Sequence, residues 1–208
     1  GARIGQEVDF IMSKAAKIAV SSVVSLALLF TLGFGGYTNF IASAHTFVTV
    51  DINPSVDLEL NALDQVIDVI PNNGDAEAIL EGTNLDGMNI SDAVCRIAEL
   101  AVENGYLDPN AENSILLSGI DNEDSDIEDK LTTIQEEVQT KLANRSIKST
   151  VLSEVVGDEL KALADETGVT PGKLLLMEKA VRLNPDLDLE TISDWSIAKI
   201  SAAIKDAY

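Results

Sequence analysis

Residues 47–60 alternate with a period of two. Val48, Val50, Ile52, Val56, Leu58 and Leu60 take the even positions; Thr49, Asp51, Asn53, Ser55, Asp57 and Glu59 take the odd ones. Successive side chains on a strand point to opposite faces, so this pattern predicts a sheet with one face buried and the other polar. Pro54 interrupts it. Proline lacks the N–H that a central ladder needs, so the run must lie on an edge or bend. A two-residue turn at Asn53-Pro54 would set Ile52 opposite Ser55, apolar against polar. A three-residue turn at Asn53-Pro54-Ser55 sets Ile52 opposite Val56 and Val50 opposite Leu58, which keeps one face apolar. The expectation is a hairpin, or a sharply bent edge strand, with the Asn-Pro bond at the bend.

The remaining periodicity gives further strands at residues 65–70, 114–120 and 147–152. A short helix is expected at 75–80. A longer one starts at Asn89-Ile90-Ser91 and reaches Asn104-Gly105, with Ile90, Val94, Ile97, Ala98 and Ala101 on its inward stripe. Cys95 lies beside that stripe and reads as a buried, inert thiol. The acidic residues 121–126 read as a loop capping a helix over 125–143, where early carboxylates suit the helix dipole. Helices follow at 156–166, 171–183, 189–194 and 196–207. The third-from-last of these is announced by Thr170, a cap residue, and Pro171 at the first helical position. Strands with helices before, between and after them predict an α/β domain of the α/β/α sandwich type.

Residues 18–44 carry no charge and are mostly apolar as far as Ile41. At about 1.5 Å per residue this run is long enough to cross a hydrocarbon core of about 30 Å. Lys14 and Lys17 flank its N-terminal end, with Arg3 upstream. The positive-inside bias then puts the N-terminus in the cytoplasm and the large domain outside, a single-pass protein of the cell membrane. The expected limits are a cytoplasmic tail over 1–14, a transmembrane helix over 15–44 and an extracytoplasmic domain over 45–208. A cleaved signal peptide is the competing reading, since Ala42-Ser43-Ala44 fits a cleavage site. The length of the run and the presence of Glu7 and Asp9 before it favour an anchor in the lipid bilayer.

From His45 onward, 33 acidic residues stand against 11 basic ones, out of a whole-chain net charge of −21. Such an excess argues against nucleic acid as a partner, because phosphates must be neutralised by Lys and Arg. It also disfavours lying on an anionic membrane surface. His45 is the sole histidine and Cys95 the sole cysteine. An intrachain disulfide and a cysteine-rich zinc site are excluded, and a Ser-His-Asp machine would hang on one histidine beside the membrane. No metal, no cofactor and no turnover enzyme are expected.

The Asn53-Pro54 bond has chemistry of its own. Asparagine usually ages when the next backbone nitrogen attacks its side-chain amide, and proline, without an N–H, closes that route. The reverse attack stays open. The Asn53 side-chain nitrogen can attack its own backbone carbonyl, close a succinimide and expel the Pro54 nitrogen. An amide nitrogen is a weak nucleophile, so the fold must help. Near-attack geometry is worth on the order of 7–11 kcal/mol, and twisting the peptide stores about 1 kcal/mol for ~12°. Asp51 and Ser55 are close enough in sequence to orient the amide or protonate the leaving nitrogen. Asn184-Pro185 serves as an internal contrast, a stop signal between helices. The competing reading keeps Asn53-Pro54 as a plain turn in a membrane-tethered binding or scaffolding module with no covalent chemistry.

The order of a basic-flanked span, FVTVDINPSVDLELN, QVIDVIPNNGDAEAIL and GVTPGKLLLMEKAVRLNP resembles the RsgI-type anti-sigma factors. The similarity covers nearly the whole chain, and GARIGQEVDF is similar to the tail of that family's cytoplasmic sigma-binding domain. The resemblance implies an α/β middle domain that cuts itself at Asn53-Pro54 and stays associated through its sheet. It implies regulated intramembrane proteolysis by intramembrane and other membrane proteases, followed by release of a SigI-type sigma factor. The sigma-binding domain that would hold that factor is largely missing from this sequence.

Overall fold

The computed structural model describes residues 46–111, 113–120 and 126–207. The expected tail at 1–14, the expected transmembrane helix at 15–44, His45 and most of the acidic loop at 121–126 lie outside the described residues. Among the described residues no helix is long and apolar enough to cross a membrane.

Five strands form one sheet: β1 (Thr46–Asp51), β2 (Ser55–Leu60), β3 (Val66–Pro71), β4 (Asn113–Ile120) and β5 (Ser149–Val156). Their order is β3-β2-β1-β4-β5. The pairings are antiparallel except β4 with β5, which run parallel. Parallel neighbours need a crossover. Here it contains the helix α3 (Ile127–Asn144), preceded in the chain by α1 (Gly74–Leu80) and α2 (Ile90–Glu103). Four helices close the chain: α4 (Asp158–Thr167), α5 (Pro171–Leu183), α6 (Leu189–Ile192) and α7 (Ile197–Lys205).

The alternation in β4 sorts the helices into two layers. Ile115 and Leu117 share a core with Val48, Val50, Val56 and Leu58 and with Val94, Ile97, Leu131 and Val138 of α2 and α3. Leu116, between them, belongs to a second core with Leu176, Met177 and Ala180 of α5 and Ile192, Ile197 and Ile200. Helices therefore cover both faces at β4, and the expected mixed α/β architecture is observed. Cys95 is fully buried in the first core. Burial pushes its thiol up, away from the reactive thiolate.

The hairpin is present, with a different register from the expected one. Val50 pairs with Val56, Val48 with Leu58 and Asp51 with Ser55. The tip is therefore Ile52-Asn53-Pro54 and not Asn53-Pro54-Ser55. A shift of two leaves every side chain on its own face, so the apolar pattern could not separate the two registers. The Ile52 N–H donates to the Pro54 carbonyl at 2.8 Å, and this bond closes the turn in the observed register. The last strand also runs further than expected. Residues 149–156 pair with β4 along its whole length, so Val155 and Val156 are held extended and the next helix opens at Asp158 and not at 156.

Candidate functional site

Asn53 sits at the tip with φ of +75°. Few residues other than glycine adopt that region, although asparagine does so more readily than most. Asp64 and Ser146 also have positive φ. Among these three, only Asn53 precedes a proline, and residues before proline favour φ of about −120°. Such a backbone stores roughly 1–3 kcal/mol, held there by the surrounding structure. The holding parts are visible: Ile52 and Pro54 are buried on either side while Asn53 itself is exposed. The contrast at Asn184 is clear. It caps the end of α5 with φ of −128°, the conformation proline prefers before it.

Directly before the turn, Asp51 is only 4% exposed. It pairs with Leu116, so it lies on the sheet face that α5 covers. The Thr170 hydroxyl donates to Asp51 Oδ2 at 2.7 Å. Thr170 is the N-cap of α5, and its oxygen accepts from the Lys173 N–H at 3.4 Å. Burial pushes the Asp51 carboxyl up to about 6. Hydrogen bonds from Thr170 and Ser55 and the charge of Lys173 oppose that rise, and the Asp57 charge adds to it. Lys173 is half-buried and held below its usual value by burial, against the pull of Asp51 and Asp194.

Ser55 is buried opposite Asp51 and tied down by Asn72, the residue that follows β3. The Asn72 side chain donates to Ser55 Oγ at 3.3 Å and to Asp57 Oδ1 at 2.8 Å. Its backbone N–H donates to the Ser55 carbonyl at 2.9 Å. The Thr49 hydroxyl donates to the same Asp57 oxygen at 2.6 Å. A pocket of about 390 Å³ opens over this cluster, lined by Asp51, Asn53, Ser55, Thr170, Lys173 and Trp195 among others. A larger hollow of about 750 Å³ runs along β3 and α1 without Asn53 in its lining, so size does not mark the site.

The structure thus brings together the four residues that sequence singled out, Asp51, Asn53, Pro54 and Ser55. Sequence reasoning missed Thr170 and Lys173 as parts of the site, since Thr170 lies 119 residues from Asp51. The available signal was the Thr170-Pro171-Gly172-Lys173 segment, legible as a helix start and as part of the family resemblance but not as a neighbour of Asp51.

The buried carboxyl has a consequence for stability. Its folded-state value lies above the ordinary 3.8, so the folded protein binds this proton more tightly than the unfolded chain does. Ionising Asp51 therefore costs stability as pH rises from 3.8, and the full cost, on the order of 3 kcal/mol, is present above about 6. Asp51→Asn should remove this contribution. In an Asn53→Ala background, urea melts at either end of that window should show the variant gaining on its parent as pH rises. A difference that stays flat would mean the carboxyl is not buried as described.

Comparison with known proteins places this geometry in context. The family described as the anti-sigma factor RsgI-like central domain matches residues 45–179. That stretch holds both the hairpin and the start of α5. Among curated proteins, the Anti-sigma-I factor RsgI7 of Acetivibrio thermocellus is 31% identical over 192 residues, covering 90% of this chain and 34% of that protein. RsgI6 of the same organism is 26% identical over 196 residues, covering 89% of this chain and 26% of that protein. RsgI5 is 24% identical over 221 residues, covering 98% of this chain and 46% of that protein. The chain spans between a quarter and a half of the length of these relatives.

Proposed function

Because the chain belongs to the RsgI-type anti-sigma factors through their central domain, we propose that it is the signal-transmitting part of such a factor and that it cuts itself at Asn53-Pro54. The whole protein would hold a SigI-type sigma factor through a cytoplasmic domain. Residues 15–44 would anchor it in the membrane, with residues 45–208 outside. The role is regulatory, and the one reaction acts on the chain itself without turnover.

The observation that carries the cleavage reading is the turn: Asn53 held at φ of +75° directly before Pro54, beside the buried Asp51. The Asn53 Nδ2 bonds to its own backbone carbonyl carbon, and the bond from that carbon to the Pro54 nitrogen breaks. The amide nitrogen gives up one proton and the proline nitrogen gains one. No water is consumed. The products are a fragment ending in a succinimide and a fragment starting with the secondary amine of Pro54. Asp51 suits the proton transfer, because its carboxyl titrates close to neutral pH. Ser55, opposite it across the hairpin, helps hold that carboxyl. Asn53 is exposed, so water can reach and open the succinimide afterwards.

Cutting would not free the pieces at once. β1 lies between β2 and β4 and pairs with both. Later separation would admit intramembrane and other membrane proteases and free the sigma factor. Mass spectrometry of the purified chain tests the first step. One species under native conditions and two under denaturing ones are expected, with Pro54 as a new N-terminus. The N-terminal fragment should first appear lighter by one water than the product of simple hydrolysis. A single intact mass under both conditions would leave a tethered binding module as the better reading.

A further inference from the structure

The segment Thr170-Pro171-Gly172-Lys173 does more than start a helix. Gly172 sits against β4 so closely that an added Cβ would lie 2.5 Å from Ser118 Oγ and 2.6 Å from Ser118 Cβ. No other residue fits there without moving the helix away from the sheet. This close approach brings the first turn of α5 down onto the face that carries Asp51. Thr170 then accepts from the Lys173 N–H and donates to Asp51 Oδ2, so one hydroxyl joins the helix start to the buried carboxyl. The carboxyl immediately precedes the turn that contains Asn53-Pro54.

We propose that Thr170 is a positioning residue for cleavage at Asn53-Pro54, acting through Asp51, so that the seating of α5 on the sheet governs the reaction. This rests on the cleavage reading above. Thr170 fixes where the Asp51 proton is carried and favours the ionised form of the carboxyl, while Gly172 permits the approach. The charged groups that face Asp51 are Asp57 from β2 and Lys173 from α5, with Asp194 acting on Lys173 in turn. The arrangement gives the C-terminal helical layer a direct hold on a bond in the hairpin. Anything that lifts the start of α5 would slow the cut without touching Asn53.

The experiment follows fragment formation in the full chain, freshly made by cell-free translation and transferred to buffers on either side of pH 6. Thr170→Val should slow cleavage by about tenfold or more, the usual weight of a hydrogen bond to a charged group. It should also move the pH midpoint of the reaction upward by about one unit, because the lost donor had favoured the carboxylate. Thr170→Ser, which keeps the hydroxyl, should restore both rate and midpoint. Urea melts of Thr170→Val and Thr170→Ser, each combined with Asn53→Ala, separate the Asp51 contact from the stability of α5: slowed cleavage in a Thr170→Val chain that is still folded assigns the effect to the contact. Gly172→Ala should slow cleavage in the same way. A wild-type chain that stays intact overturns the cleavage reading and this one with it. A wild-type chain that is cut, with Thr170→Val cutting at the same rate and midpoint, overturns only the role of Thr170.

Discussion

Asn53→Ala should leave one intact chain where the unaltered protein is expected to give two fragments, and Asn184→Ala should leave fragmentation unchanged. The first substitution removes the only nucleophile that the succinimide route can use at this bond. Alanine tolerates φ of +75° less well than asparagine, so the variant should also lose about 1 kcal/mol of stability. That loss is small beside the expected all-or-none effect on cutting, and a folded circular-dichroism spectrum separates the two. The Asn184 control carries equal weight. Both bonds are Asn-Pro, but Asn184 has the extended backbone usual before proline and ends a helix. If the dipeptide itself were fragile, both bonds would break. If geometry governs the reaction, only the bond at the hairpin tip breaks. Denaturing gels with N-terminal sequencing of both variants decide it. Cutting that persists in Asn53→Ala would remove the succinimide route altogether.

Much of this arrangement was legible because period-two patterning is a statement about faces. Val48, Val50, Val56, Leu58 and Leu60 are all fully buried, as the alternation required. The same property hid the register, since pairing Val50 with Val56 or with Leu58 buries the same residues. What chose between them was the closing bond from Ile52 to Pro54 and the backbone angle of Asn53, neither of which leaves a mark in hydrophobicity. The end of β5 was misplaced for a related reason. The residues after 152 alternate too weakly to stand as a strand alone, and their extended form comes from parallel pairing with β4. Thr170 illustrates the third kind of blindness. Its capping role followed from its neighbours in sequence, whereas its bond to Asp51 depends on how a helix docks on a sheet. Gly172 held the clue, but a glycine inside a helix start has many uses, and only the Ser118 contact tells which one applies.

After the proposed cut, the grip of β1 on the sheet should set how long the two fragments stay together, and Val50→Ala should loosen it strongly. Val50 is fully buried, between Val56 of β2 and Leu117 of β4. Its truncation removes about two methylene equivalents and leaves a cavity, a loss of roughly 2–3 kcal/mol. In an uncut Asn53→Ala background the loss should appear as a lower urea midpoint with an unchanged slope. In the cut protein the chain no longer joins β1 to β2, so the same loss must appear as weaker association. At tenfold for each 1.4 kcal/mol, the dissociation constant of the fragments should rise by roughly 30- to 140-fold. Phe47 supplies the comparison. It lies on the same strand but is 40% exposed on the other face, so Phe47→Ala should change fragment release far less. Size-exclusion chromatography over a dilution series reads the difference. Equal retention of the fragments in the two variants would mean that something other than the buried face of β1 holds them. A larger release from Val50→Ala would tie the output of the domain to the packing of one central strand, with the proposed cut at Asn53 allowing the pieces to part and the core beneath β1 setting when they do.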